Sequence, residues 1–174
     1  SPSSKKPIDW GENPWPEIRK ERLNSLLPAA MSTVNFDAWL VICRENDNDP
    51  MADHVGGENA GGTAVFLFYF GQEGFESVVF SPVGEATALD ELDIHNRVIP
   101  VQRGSSAIDD AAKFIEPLAL RRIAINTSEN NKLADGLSHS QYIALTNALS
   151  SEKVSKLVSS ETLIYEWLSK KLPA

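Results

Sequence analysis

Seven consecutive apolar residues, Ala64–Phe70, with aromatic rings at positions 66, 68, 69 and 70, constrain this chain more than any other stretch. A strand with one face in water alternates apolar with polar residues, whereas an unbroken apolar run marks a strand covered on both faces. A second run, Ala38–Cys43, is too short and too apolar for an amphipathic helix and reads as another buried strand. Between the two lies a polar loop of about 20 residues with four glycines (Gly56, Gly57, Gly61, Gly62), several acids and His54. Neighbouring strands are joined more economically by about two to five residues. A loop of this length between core strands is kept for what it touches.

The rest of the chain is organised around that pair. Residues 1–16 carry four prolines and no periodicity and read as a tail, with Trp10 and Trp15 expected to dock on the body. A helix is predicted from near Pro16, where proline suits the first turn. Leu23, Leu26, Leu27, Ala30 and Met31 form its buried stripe, and Pro28 within the stripe implies a kink or an early stop. After the second strand, Gly71–Gly74 reads as a hairpin connection into Phe75–Phe80, which pairs the two runs antiparallel. Further on, a helix is predicted over Glu85–Leu92, a strand over Arg97–Val101, and a helix capped by Ser105 or Ser106 that buries Ile108, Ala111, Ala112 and Ile115. Arg122–Asn126 reads as a strand, Ser140–Leu149 as a helix and Val154–Val158 as a strand. A last helix starts at Ser159 or Ser160, turns Leu163, Ile164, Trp167 and Leu168 inward, carries Lys170 and Lys171 at its end, and is stopped by Pro173. An early hairpin followed by strand–helix alternation predicts a three-layer α/β/α domain, with a mixed sheet of about five to six strands.

Composition excludes several classes. The 174 residues suit one domain, and the contents of 42% hydrophobic and 23% charged residues are those of a globular chain. A net charge of -8, with no run of Lys or Arg longer than two, argues against nucleic-acid binding. No stretch approaches the roughly 18 apolar residues of a membrane span. The sequence begins Ser1-Pro2, which suits either a removed leader or chosen ends, and the compartment stays open between cytoplasmic and exported. The single cysteine, Cys43, rules out a disulfide framework.

No catalytic set emerges. Cys43, as a nucleophile, would need His54 or His95 as its base, yet it ends an apolar strand, where cysteine acts as a small hydrophobe. His54 and Glu58 stand four apart, but Gly56-Gly57 between them prevents the helix on which that spacing could share a metal. Asp47, Asp49 and Asp53 lack the glycine and glutamate of a calcium loop and read as solvated. The four glycines lack a phosphate-loop pattern, and a strand follows them where a helix would be needed. His54, His95 and His139 carry no pattern and read as surface residues.

The order of elements resembles the N-terminal domain of the creatinase/prolidase/Xaa-Pro aminopeptidase family. The resemblance rests on Arg22-Leu23 through Met31, on Asp37-Ala38-Trp39-Leu40-Val41, and on a closing helix with Leu163-Ile164, Trp167, Lys171 and Pro173. It covers roughly residues 17–174 and departs at Leu168, where the family has arginine. Arg44–Pro50, Gly56–Gly61, Ser81–Ala86 and Ser159–Ser169 are similar to signatures of a bacterial metallopeptidase-like subgroup. The resemblance implies a ribonuclease H-like three-layer domain without catalytic residues or metal ligands of its own. It also implies a catalytic domain after residue 174 holding two divalent metal ions, with short proline-containing peptides as substrates. Its further implications are packing over the active-site mouth and assembly as a homodimer or larger oligomer. Asp53, His54, Gly56, Gly57, Glu58 and Asn59 then become candidates for a substrate-access loop. The alternatives are a protein- or peptide-binding module that has lost hydrolysis, and an independent enzyme using Cys43 or an acidic pair.

The chain by itself is expected neither to bind catalytic metal nor to cleave Xaa-Pro peptides. Calorimetric titration of residues 1–174 with manganese, cobalt and zinc checks this, and tight stoichiometric binding of any of them would refute it.

Overall fold

The computed structural model describes residues 13–170. Trp10, Lys171 and Pro173, and the expectations attached to them, lie outside these residues. Within them six strands form one mixed sheet in the order β4-β3-β2-β1-β5-β6. These are β1 (Ala38–Cys43), β2 (Ala64–Gly71), β3 (Gly74–Pro82), β4 (Arg97–Val101), β5 (Ile123–Ile125) and β6 (Leu157–Ser159). β1, β2 and β3 pair antiparallel, and Gly71 faces Gly74 across the two-residue connection Gln72-Glu73. The outer pairs β3–β4, β1–β5 and β5–β6 are parallel.

The continuous apolar runs hide a period of two. On β1 and β2, Trp39, Val41, Cys43, Ala64, Phe66 and Phe68 enter one core. Ala38, Leu40, Ile42, Val65, Leu67 and Tyr69 enter the other. The first core is covered by the π turn Arg22–Leu26 that follows α1 (Trp15–Glu21), by α2 (Leu27–Thr33) and by α8 (Glu161–Ser169), and the second by α5 (Ala107–Ile115) and α6 (His139–Ala148). With both faces covered, β1 is buried along its whole length. The three-layer arrangement and the mixed sheet are those predicted.

Proline punctuation works differently from the expected break. The first helix opens at Trp15, inside the stretch read as tail, and continues through Pro28 by inserting a π turn over Arg22–Leu26. Leu27 N–H donates to the Arg22 carbonyl, and Pro28 then falls in the first turn of α2, where a proline needs no backbone donor. The predicted strand over Val154–Val158 is corrected. Val154 ends a short helix, α7 (Ser151–Val154), and β6 begins only at Leu157. Ser150 caps α7, its Oγ accepting from Lys153 N at 3.3 Å, and this local cap outweighs the β propensity of valine.

The sheet and the α8 side are joined through one buried amide. Asn126, just beyond β5, accepts at Oδ1 from Trp39 Nε1 at 2.9 Å and from Ser160 Oγ at 2.6 Å. Its Nδ2 donates to Asp49 Oδ2 at 3.0 Å, and Asp49 Oδ1 accepts from Met51 N at 2.8 Å. This partner set fixes the amide orientation, because only Oδ1 can accept from both donors. Asp49 is buried, which corrects its reading as part of a solvated acidic loop. Desolvation pushes its carboxyl above the usual range, opposed by the bonds from Asn126 and Met51.

Replacing Asn126 by leucine keeps the branching of the side chain while adding bulk, and strands Trp39 Nε1, Ser160 Oγ and a carboxylate oxygen. A loss of about 2–4 kcal/mol in urea unfolding is expected, and a change under about 0.5 kcal/mol would contradict it. The Asp49 carboxyl should titrate above the ordinary value of about 3.9 in a carbon-detected NMR series. A raised folded-state pKa means that the native state takes up the proton first. The cost of the buried carboxylate is therefore relieved as pH falls through that midpoint toward the unfolded value. A midpoint at or below the ordinary value would contradict this assignment.

Candidate functional site

The long loop is pinned from both sides. Residues Ala52–Val55 form one helical turn, α3, closed by Gly56 at φ 96°, a left-handed conformation that favours glycine. Gly57 lies directly against β1 and β2. A Cβ there would stand 2.3 Å from Cys43 Sγ and 3.0 Å from a Phe66 ring carbon. The two glycines thus let the chain turn and descend onto the sheet, and they separate His54 from Glu58.

Each predicted loop residue has a distinct placement. Asp53 and Asn59 are exposed. The Asp53 carbonyl accepts from Arg19 Nη1 at 3.1 Å, and the same nitrogen meets Glu58 Oε1 at 2.8 Å. Arg19 is buried, so this pair is a structural clamp from α1 onto the loop. His54 is half-buried between two tryptophans, 5.8 Å from the Trp15 ring and 5.6 Å from the Trp167 ring. Burial first, then the Arg22 charge, holds its pKa below the ordinary histidine value. Trp15 therefore docks on the body, as expected of the tail tryptophans.

His95 supports the loop from beneath. Its Nε2 lies 2.7 Å from the Val55 carbonyl, which makes Nε2–H the donor and leaves Nδ1 without a hydrogen on the buried side. The ring tilts against Phe66 and Phe68, and burial lowers its pKa to about 4. The reading of His54 and His95 as surface residues is corrected; His139 is exposed. Cys43 is buried, and its thiol pKa is driven far upward by desolvation, then by the Asp49 and Glu58 charges. A buried thiol held protonated is not an activated nucleophile, which speaks against Cys43 in that role.

On its other side the loop faces α4 (Val83–Glu91) across a pocket of about 230 Å³. Gly57, Asn59, Ala60, Phe66, Glu85 and Leu89 contribute to its lining. The Glu85 carboxylate grips the loop, accepting from Gly61 N and from Gly62 N, the latter at 3.1 Å. Sequence reasoning missed Arg19 and Glu85. Arg19 could have been found, since it stands four residues before Leu23 on the same stripe, and a buried arginine calls for an acidic partner. Glu85 carries no such signal, because its partners are backbone amides. Among the described residues, no group of three His, Cys, Asp or Glu side chains is placed to hold a metal ion.

No protein-family model matches the sequence, and no curated protein is significantly similar to it. Solved structures are similar. Aminopeptidase P, an Xaa-Pro aminopeptidase from Streptococcus thermophilus, superposes with a TM-score of 0.58 at 14% identity, covering 87% of this chain and 97% of that one. The creatinase/prolidase N-terminal domain of an X-Pro dipeptidase from Streptococcus pyogenes gives 0.56 at 11% identity, covering 82% and 98%. The Xaa-Pro dipeptidase from Bacillus anthracis gives 0.54 at 17% identity, where the match covers 86% of this chain but 34% of the dipeptidase. The chain thus spans about a third of the length of that enzyme. At these identities the likeness speaks for architecture, and the fold of this chain is that of the creatinase/prolidase N-terminal domain.

Proposed function

We propose that this chain is the non-catalytic N-terminal domain of a prolidase- or Xaa-Pro aminopeptidase-like metallopeptidase, which caps the active site and supports oligomerisation. The observation that carries the reading is that the match covers 98% of solved N-terminal domains of such enzymes but 34% of the Bacillus anthracis dipeptidase. In this reading a catalytic domain follows residue 174 and holds the two divalent metal ions and the hydrolytic residues. The loop adds local support. Arg19 and Glu85 clamp it from two directions, and a clamped loop can shape access to a neighbouring site at little entropic cost on binding. His54, packed between Trp15 and Trp167, and Glu58, exposed but ion-paired to Arg19, act as positioning residues. Asp53 and Asn59, exposed like Glu58 but without its ion pair to Arg19, are the groups that meet a peptide at the mouth.

The test uses the full-length protein and short proline-containing peptides. Asp53→Ala and Asn59→Ala are expected to lower kcat/KM several-fold at unchanged thermal midpoint, because neither side chain contributes to the core. Unchanged kinetics in both variants would remove the access role. An intact, folded protein without peptidase activity would instead favour the binding module that has lost hydrolysis.

A further inference from the structure

The Glu85 contact has the form of a filled ligand site. Two successive backbone N–H groups, at Gly61 and Gly62, converge on the two oxygens of one carboxylate. Paired amides of this kind are a general means of holding a carboxylate, and the charge makes each bond stronger than a neutral one. Here the carboxylate comes from the protein's own α4, and directly behind it lies a pocket of about 230 Å³ whose walls are mostly apolar. Phe66, Leu89 and Leu92 supply the apolar walls, while Asn59 stands on the loop side. That volume is below the roughly 300 Å³ at which drug-sized ligands begin, so it suits one residue and not an extended peptide.

The helix that supplies Glu85 is also the one least committed to the core. None of the α4 residues is buried, whereas α5, of equal length, buries five. Val83, at the start of α4, and Leu92, just beyond its end, are 52% and 41% exposed. Withdrawing the Glu85 side chain therefore disturbs little packing, and the amide pair is open to competition.

We propose that this pocket binds the C-terminal residue of a short peptide with an apolar side chain. Its carboxylate takes the Gly61–Gly62 amides, its side chain fills the space before Phe66 and Leu89, and Glu85 is the built-in competitor that occupies the site when no ligand is present. The proposal rests on the loop–α4 geometry and does not require that the parent protein hydrolyse peptides.

The test follows amide shifts in a ¹⁵N-labelled 1–174 chain during titration with N-acetyl-leucine, N-acetyl-leucinamide and 4-methylpentanoate. Removing the competitor with Glu85→Ala should tighten N-acetyl-leucine binding about tenfold or more, the scale of a charge-assisted hydrogen bond, with the largest shifts at Gly61 and Gly62. The amide analogue should bind no better to the variant than to the wild type. 4-Methylpentanoate, which has the leucine side chain and carboxylate without a peptide bond, should bind more weakly than N-acetyl-leucine. Glu85→Gln, which keeps the length of the side chain but is a weaker competitor, should fall between, and it carries the test if Glu85→Ala does not fold. No gain in either variant, equal binding of acid and amide, or shifts confined to another region would overturn the proposal. 4-Methylpentanoate binding as tightly as N-acetyl-leucine would overturn its peptide assignment.

Discussion

The carboxamide of Asn126 is the joint on which the rest of this domain turns. It ties the Trp39 indole of β1, the Asp49 carboxyl of the long loop and the Ser160 hydroxyl at the start of α8 to the segment leaving β5. Its backbone takes part as well, since the Asn126 carbonyl accepts from Leu137 N at 2.9 Å. A half-satisfied buried network costs more than an apolar core would, so each member constrains the others. Placing Asp49 places Met51 and the α3 turn, and through them the course of the loop to Gly57.

Around this joint the first core is built from rings. Trp39 stacks on Phe68 at 5.6 Å and meets Trp167 edge-on at 5.6 Å. Trp167 in turn touches His54, and His54 touches Trp15. An aromatic chain therefore runs from the sheet through α8 and the loop to the start of α1. Arg22 closes the same region, lying 5.1 Å over the Trp167 ring while donating to the carbonyls of Trp167 at 3.0 Å and Lys170 at 3.2 Å. The end of α8 is thus capped by a side chain from the first helix, and the first and last of the described helices are held as one unit.

What the sequence made legible was whatever depends on local pattern. The doubly covered strand Ala64–Phe70, the hairpin at Gly71–Gly74, the Ser106 cap and the inward face of α8 all follow from spacing within a few residues. What stayed hidden depends on partners far along the chain. Asp49 looks solvated until Asn126, 77 positions away, is brought to it. His95 looks like a surface histidine until the α3 turn is laid over it and Val55 accepts from its ring. Glu85 pairs with main-chain amides 24 and 23 positions earlier, and amides are present at nearly every residue, so no residue type announces the contact. In the candidate site, accordingly, the loop and its glycines could be read from sequence, but not the clamps that hold it.

The π turn at Arg22–Leu26 has a consequence for how the two halves of the first helix are specified. One extra residue in a helical turn rotates everything beyond it by about 100° relative to an uninterrupted helix. The face of α1 that carries Arg19 to the loop and the face of α2 that buries Leu27, Ala30 and Met31 are therefore set in different phases. The Arg22 carbonyl holds that offset in place, receiving Leu27 N–H from within the helix and Trp167 Nε1–H at 3.0 Å from α8. A single backbone oxygen thus acts as a phase lock. It allows the core-facing segment to follow the sheet and the loop-facing segment to follow the clamp, so substitutions that repack one need not misalign the other.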